Sequence, residues 1–322
     1  MKTRELTRPP QILPLYLRAA ATLVPGAGHL PGIPGGGGEI PEVELVLRDA
    51  VIEGDRLASY REVCGFAAAG PIPATFLHMP AFPLHMALMA DERFPFGAVG
   101  LVHIENEITQ LRPLRTQDRV NLKVHAGPLE PHPRGRAFSI FTQAHVDGEP
   151  VWRERSTMLR RGRAGAEGAS APAGSGGPAN TATGAAADAA AGAPVTWKVP
   201  EDIGRRYGAV SGDRNPIHMH ALTAKAFGFP RAIAHGMWTK ARCLAALEAE
   251  LPDSYTVTVA FRKPVLLPGS VRFAHTEQGR AIAFALRAAD GDALHLEGRI
   301  AAAGAAAGSQ ADAERPAQGA HR

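Results

Sequence analysis

Residues 207–218 read YGAVSGDRNPIH, and the first half of this run has a counterpart far upstream. Tyr60 to Gly65 reads YREVCG, with the same Tyr, Val, small residue and Gly at an offset of 147. The likeness continues in the same order. HIENEITQLRPLRTQDRVNLKV (103–124) stands opposite TVAFRKPVLLPGSVRFAHT (258–276), in each case a strand-like run, a Pro-containing turn and a second strand. Self-similarity in a fixed order marks one structural unit used twice. The two units are residues 43–161 and 195–300.

Both units have the same coarse content. In the second, GMWTKARCLAALEAEL (236–251) places Met237, Ala241, Leu244, Leu247 and Leu251 on one helical face. Pro252 ends that helix. Strands are predicted at Tyr255–Phe261, at Val271–Thr276 after the Pro268-Gly269 turn, at Ala281–Ala289, and at Leu294–Ile300 past Asp290-Gly291. In the first unit the helix is predicted at Phe82–Ala90, with strands at Gly100–Thr109, Arg119–Ala126, Ala137–Val146 and Val151–Leu159. The expected fold class is α+β, one helix wrapped by an antiparallel sheet, twice over. Residues 25–41, 162–194 and 301–322 lack the large apolar side chains that offset ordering entropy. They read as linker or disorder, so that residues 1–42 form an N-terminal segment with a Gly/Pro-rich linker.

Composition narrows the function. A chain of 322 residues, 45% hydrophobic and 20% charged, has room for one large core or two modest ones. The net charge is +4, and Lys and Arg are scattered without runs, so no nucleic-acid surface is expected. Cys64 and Cys243 are far apart with neither disulfide-framework nor zinc spacing, which suits a reducing compartment. Lys2, Arg4 and Arg8 precede an apolar stretch, but Glu5, Pro14 and Arg18 interrupt a signal-peptide pattern. No run approaches a membrane span, and the expected location is cytoplasmic.

Within SGDRNPIH, Gly212 permits a tight backbone and Pro216 stiffens it. Asp213, Asn215 and His218 then bring a carboxylate, an amide and an imidazole within six residues. Asp and His can hold one water between an acceptor and a group that changes protonation near neutrality, with Asn orienting either. Asp and Asn also form turns, and the octet alone admits that reading equally. The helix start at His235-Gly236 favours the water site. Unsatisfied N–H groups at the positive end of a helix stabilise an oxyanion, and Gly allows its close approach. His78, His85 and Met86 read as core or rim residues of the first unit, and the His218-x-His220 pair lacks a third ligand, so no metal is expected.

The pattern Tyr207, Ser211-Gly212-Asp213-x-Asn215-Pro216-Ile217-His218, then Ala234-His235-Gly236-Met237, then Phe261-Arg-Lys-Pro264-Val265, resembles the MaoC-like dehydratases and R-specific enoyl-CoA hydratases. The first unit, LVHIENEITQLRP and LPLYLRAA are similar to the double-hotdog members of that family. The resemblance implies a double hotdog and reversible interconversion of trans-2-enoyl and (R)-3-hydroxyacyl thioesters, on coenzyme A or acyl carrier protein, without a cofactor. It implies that Asp213 and His218 activate the water, that Asn215 supports them, and that the Gly236 amide binds the thioester oxygen. Arg262 and Lys263 are candidate contacts to the carrier's phosphates, and a homodimer is a possible assembly. After Gly65 the first unit has no Asp-x-Asn-x-x-His, leaving one active site and a second wall for an acyl tunnel. A hotdog thioesterase and a non-catalytic acyl-binding subunit are the competing readings.

Overall fold

The computed structural model describes residues 1–22, 32–35, 38–162, 194–291 and 293–303. An N-terminal strand β1 (Lys2–Leu6) and helix α1 (Ile12–Ala21) lead into the first unit. That unit comprises β2 (Val43–Val51), α2 (Gly54–Cys64), α3 (His78–Met89), β3 (Leu101–Gln110), β4 (Arg119–Ala126), the short β5 (Glu130–His132), β6 (Gly135–Val146) and β7 (Glu149–Arg161). The second comprises β8 (Val195–Val199), α4 (Ile203–Ser211), α5 (Pro216–Met219), α6 (Ala221–Ala226), α7 (Gly236–Ala246), β9 (Tyr255–Phe261), β10 (Gly269–Gln278), β11 (Ala281–Ala288) and β12 (Leu294–Ala302).

The strands form one twelve-stranded sheet in the order β1-β2-β4-β6-β7-β3-β9-β12-β11-β10-β8, with β5 attached to β6. From either outer end the units read alike, β2-β4-β6-β7-β3 against β8-β10-β11-β12-β9. This is the duplicated hotdog that the internal repeat implied. The halves join where β3 and β9 pair antiparallel, from Glu105 opposite Ala260 to Gln110 opposite Tyr255. At this seam residues 147 apart face each other. The Thr109 and Thr256 hydroxyls are 2.9 Å apart, and the Tyr60 and Tyr207 ring centroids 6.4 Å apart. Repeat-related side chains meet in this way on a pseudo-twofold axis.

Each central helix is buried against its half-sheet. Leu84 and Leu88 of α3 and Ala241 and Leu244 of α7 are in the core, each fully buried Leu contributing about 1.5–3 kcal/mol. The helix boundaries differ from the sequence expectation. α3 starts four residues before Phe82 and runs through Pro83. α7 stops at Ala246 and yields to a 3-10 turn at Glu248–Glu250. There Glu248 reaches across to accept from the Ala67 N–H of the first unit at 2.8 Å.

Parts of the N-terminal region take part in the fold of the first unit. β1 pairs in parallel with β2 from Lys2 opposite Val43 to Leu6 opposite Leu47. Within the 25–41 stretch, Ile40 is part of the core and the Gly35 N–H donates to Phe94 O at 2.9 Å. At the other end β12 extends to Ala302, into the region read as tail. The remainder of the tail, and residues 163–193 of the linker expected between the units, lie outside the described residues. Among the described residues no helix is long and apolar enough to cross a membrane.

Candidate active site

The site is built on two glycines of α4. Gly204 and Gly208 are four residues apart, on one face of that helix, and the 213–218 loop folds back onto them. A Cβ at Gly204 would lie 2.0 Å from His218 O, and one at Gly208 2.8 Å from Asp213 O. Gly212 closes α4 in the left-handed conformation, φ +82°, which glycine adopts without strain. Arg56 of α2 donates to Val210 O at 2.9 Å and Ser211 O at 3.2 Å, placing a cation at the carbonyl end of α4. The first unit thereby fixes the start of the loop.

Asn215 caps α5, its Oδ1 accepting from the Ile217 N–H at 3.3 Å, with Pro216 at the first helical position. Its support of the site therefore runs through the backbone: it holds the short helix that carries His218, and its own N–H donates to Asp213 Oδ1 at 3.1 Å. The same oxygen accepts from the Tyr16 hydroxyl at 2.7 Å. Tyr16 belongs to α1, and the sequence reading left it out of the site.

His218 Nδ1 is 2.8 Å from Ile233 O. A carbonyl can only accept, so Nδ1 carries the hydrogen and Nε2 presents its lone pair. His235, the N-cap of α7, is buried rather than on the surface. Its Nε2 donates to Asp213 O at 2.9 Å and stands 3.7 Å from Asp213 Oδ2. The His218 and His235 rings stack with centroids 3.7 Å apart. Burial, then the neighbouring His218, pushes His235 down to about 3 against the pull of Asp213. Burial also lowers His218, although Asp213 and the Ile233 bond oppose it. For Asp213, burial acts upward but is outweighed by His235, His218 and the Tyr16 bond, holding the carboxyl below its ordinary range. Near neutral pH the loop thus offers a carboxylate and a neutral imidazole lone pair, two acceptors suited to one water.

Gly236 opens α7 beside this pair, and a Cβ there would come within 3.1 Å of the Phe261 ring. Arg262 and Lys263 follow Phe261. The Arg262 guanidinium is ion-paired with Glu297, while Lys263 is exposed. His220 is exposed and does not converge with buried His218. Asp213, His218 and His235 do bring ligand-type atoms within 4.8 Å of one another. Their ring N–H groups are directed to Ile233 O and Asp213 O.

Two expected results follow from this geometry. Tyr16→Phe removes a hydrogen bond to a charged group, of the kind that contributes about 1.5–3 kcal/mol. That bond helps to keep Asp213 ionised, so its loss moves the acid limb of the kcat/KM profile to higher pH; an unmoved limb would show that Tyr16 only packs. The second result concerns stability. His235 is depressed in the folded state, so below the unfolded value of about 6.5 the unfolded chain binds more protons. Stability then falls with falling pH, by about 1.4 kcal/mol per unit from this residue until its own low pKa is reached. Denaturant titrations at pH 7.5 and 5.5 measure the difference, and His235→Gln should reduce it.

A fused pair of hotdog units, one of which carries an Asp/His loop beside a glycine helix start, is the arrangement of a dehydratase; the chain belongs to the MaoC-like dehydratase family. The MaoC like domain matches residues 179–298. In particular, the chain is 37% identical over 261 residues to 3-hydroxyacyl-thioester dehydratase X of Mycobacterium tuberculosis, spanning 81% of this chain and 87% of that protein. The crystal structure of that protein, HtdX, superposes with a TM-score of 0.69 at 31% identity, covering 80% of this chain and 99% of the other. A MaoC-like dehydratase from Phytophthora capsici shares the fold at a TM-score of 0.65 and 19% identity, over 82% and 96% of the two chains.

Proposed function

We propose that the chain is a hydro-lyase that reversibly converts (R)-3-hydroxyacyl thioesters to trans-2-enoyl thioesters, with Asp213 and His218 as its acid/base pair. The observation that carries this reading is the pairing of the Asp213 carboxylate with a His218 whose Nδ1 is fixed on Ile233 O, leaving Nε2 for a water. In hydration the water oxygen bonds to C3, one water proton passes to the pair, and one proton is delivered to C2. Negative charge develops on the thioester oxygen as C3 is attacked, and the first amides of α7 at Gly236 suit it. Dehydration runs the same steps backwards. Asp213 and His218 interact closely enough to titrate as a unit, so the proton belongs to the pair.

The carrier is coenzyme A or acyl carrier protein, with Lys263 better placed than the Glu297-bound Arg262 to meet its phosphates. The first unit, without the acid/base loop, walls the acyl chain. The same reading places the enzyme in the cytoplasm and allows a homodimer. Crotonyl-CoA and decenoyl-CoA are the test substrates. The expected result is loss of the enoyl-thioester absorbance with R-configured product and no release of free thiol. Thiol release would indicate a thioesterase instead, and binding without turnover an acyl-binding subunit.

A further inference from the structure

The first unit buries a polar cluster of its own. His78 opens α3 and His85 follows seven residues later, two turns on and so on the same face. Glu154 lies opposite them on β7. One ligand-type atom from each of the three lies within 4.8 Å of the others. The residues are 7%, 1% and 3% exposed. Hydrogen bonds engage one side of each group. His78 Nδ1 donates to Glu154 Oε1 at 2.8 Å, His85 Nε2 meets the Thr142 hydroxyl at 2.7 Å, and Asn106 Nδ2 donates to Glu154 Oε1 at 2.7 Å. The other side is unengaged: Glu154 Oε2 and His85 Nδ1 are buried with no hydrogen-bond partner among the described residues.

Leaving such atoms buried and unpartnered costs about 1–3 kcal/mol each, more for a charged group. An apolar core would avoid that cost, and the rest of α3 shows that this sequence can build one. Two imidazoles and a carboxylate, carried on a packed helix and a central strand, form a donor set for zinc or another first-row divalent ion. Adjacent tetrahedral ligands with bonds of about 2.0–2.2 Å stand roughly 3.3–3.6 Å apart, so the 2.8 Å His78–Glu154 pair opens by about half an ångström or more to admit an ion. Thr142 holds the His85 ring through Nε2 and Asn106 orients the carboxylate, as second partners do around metal ligands. Lys240 is a nearby cation, but its Nζ donates to Asn106 Oδ1 and to Val257 O, so the Asn106 amide separates it from Glu154.

We propose that His78, His85 and Glu154 form a divalent transition-metal site in the first unit, distinct from the water site at Asp213 and His218. The ion would bond His78 Nδ1 and the Glu154 carboxylate as those side chains draw apart, the displaced ring proton moving to His78 Nε2, and His85 Nδ1 would supply the third bond. The three donors already lie within 4.8 Å of one another, so small side-chain movements bring them onto one ion. His103 Nε2 on β3 is likewise buried with no hydrogen-bond partner among the described residues. The ion would pin α3 to β7 beneath the proposed tunnel wall.

The full chain, stripped with chelator, is titrated with Zn(II) and Co(II), and bound metal is counted by elemental analysis. The expected result is one equivalent in the wild type, with the visible spectrum of a low-coordinate Co(II) site and a raised melting temperature. Asp213→Asn should retain both, and His85→Gln and Glu154→Gln should lose both. Zinc-edge anomalous diffraction from soaked wild-type crystals locates the ion without any variant, so a variant that fails to fold does not remove the test. A peak between α3 and β7 supports the site. No stoichiometric binding, or a peak at Asp213 instead, overturns it.

Discussion

Asp213→Asn and His218→Ala should each lower kcat/KM for a trans-2-enoyl thioester by roughly a hundredfold or more. Asn preserves the shape of Asp213, and its oxygen can still accept from Tyr16 and from the Asn215 N–H. What disappears is the charge, and with it the influence that raises His218 against its burial. The imidazole is then less able to accept a proton from water. His218→Ala removes the Nε2 lone pair while leaving the carboxylate. Because the two groups are proposed to act on one water, the double variant should be little worse than the poorer single variant, the non-additivity of residues acting as a unit. Melting temperature separates chemistry from folding, since the Asp213 side chain is about a quarter exposed (26%) and its replacement by Asn leaves no cavity. Wild-type rates in both single variants would sink the assignment.

The parts of the molecule legible in the sequence were those specified by local pattern. Tyr255–Phe261 and Arg119–Ala126 are strands with the bounds their apolar residues and flanking turns suggest. The repeat around Tyr60 and Tyr207 implied two units, and the shared strand order of the two half-sheets follows from it. Helix ends were less legible. Leu247 and Leu251 continue the apolar period of α7, but its early stop goes with contacts to the first unit, where Glu248 accepts from the Ala67 N–H and pairs with Arg61. Pro80 and Pro83 concealed the first turns of α3, where tertiary burial of Met79 and Leu84 overrides their helix-breaking tendency.

The site divides in the same way. The Asp213-to-His218 run is contiguous, and its residue types suggested a water site that only the helix start at Gly236 favoured over a simple turn. Tyr16 and Arg56 reach the loop from 197 and 154 residues away, along contacts that no local pattern encodes. His235 stood in plain view before Gly236, yet a histidine preceding a helix looks like any exposed N-cap until the fold stacks it on His218. His78 and His85 are buried, and their side chains meet Glu154 only because β7 lies beneath α3.

Gly204→Ala should both destabilise the protein and disable it, although local propensity forecasts the opposite. Within a helix at ordinary φ, Ala is favoured over Gly, by up to about 0.5–1 kcal/mol in the interior and less in the first turn, where Gly204 lies. Here the new Cβ would stand 2.0 Å from His218 O, a backbone atom that cannot swing aside as a side chain would. Either α4 or α5 must move by more than 1 Å to reach van der Waals contact. Such overpacking costs about 1–3 kcal/mol or more. Movement of α5 carries His218 with it and disturbs the bond from Nδ1 to Ile233 O and the pairing of the Ile233 N–H with Ile217 O. A displacement of about 1 Å in a reacting group can lower the rate a hundredfold, so kcat should fall by more than tenfold even in the fraction that remains folded. Gly54→Ala is the matched control, at the start of α2 with nothing within 4 Å of its added Cβ, and should leave rate and melting temperature unchanged. If Gly204→Ala behaved like Gly54→Ala, the loop would not rest on the glycine face of α4, and the positions of Asp213 and His218 derived from that packing would have to be abandoned.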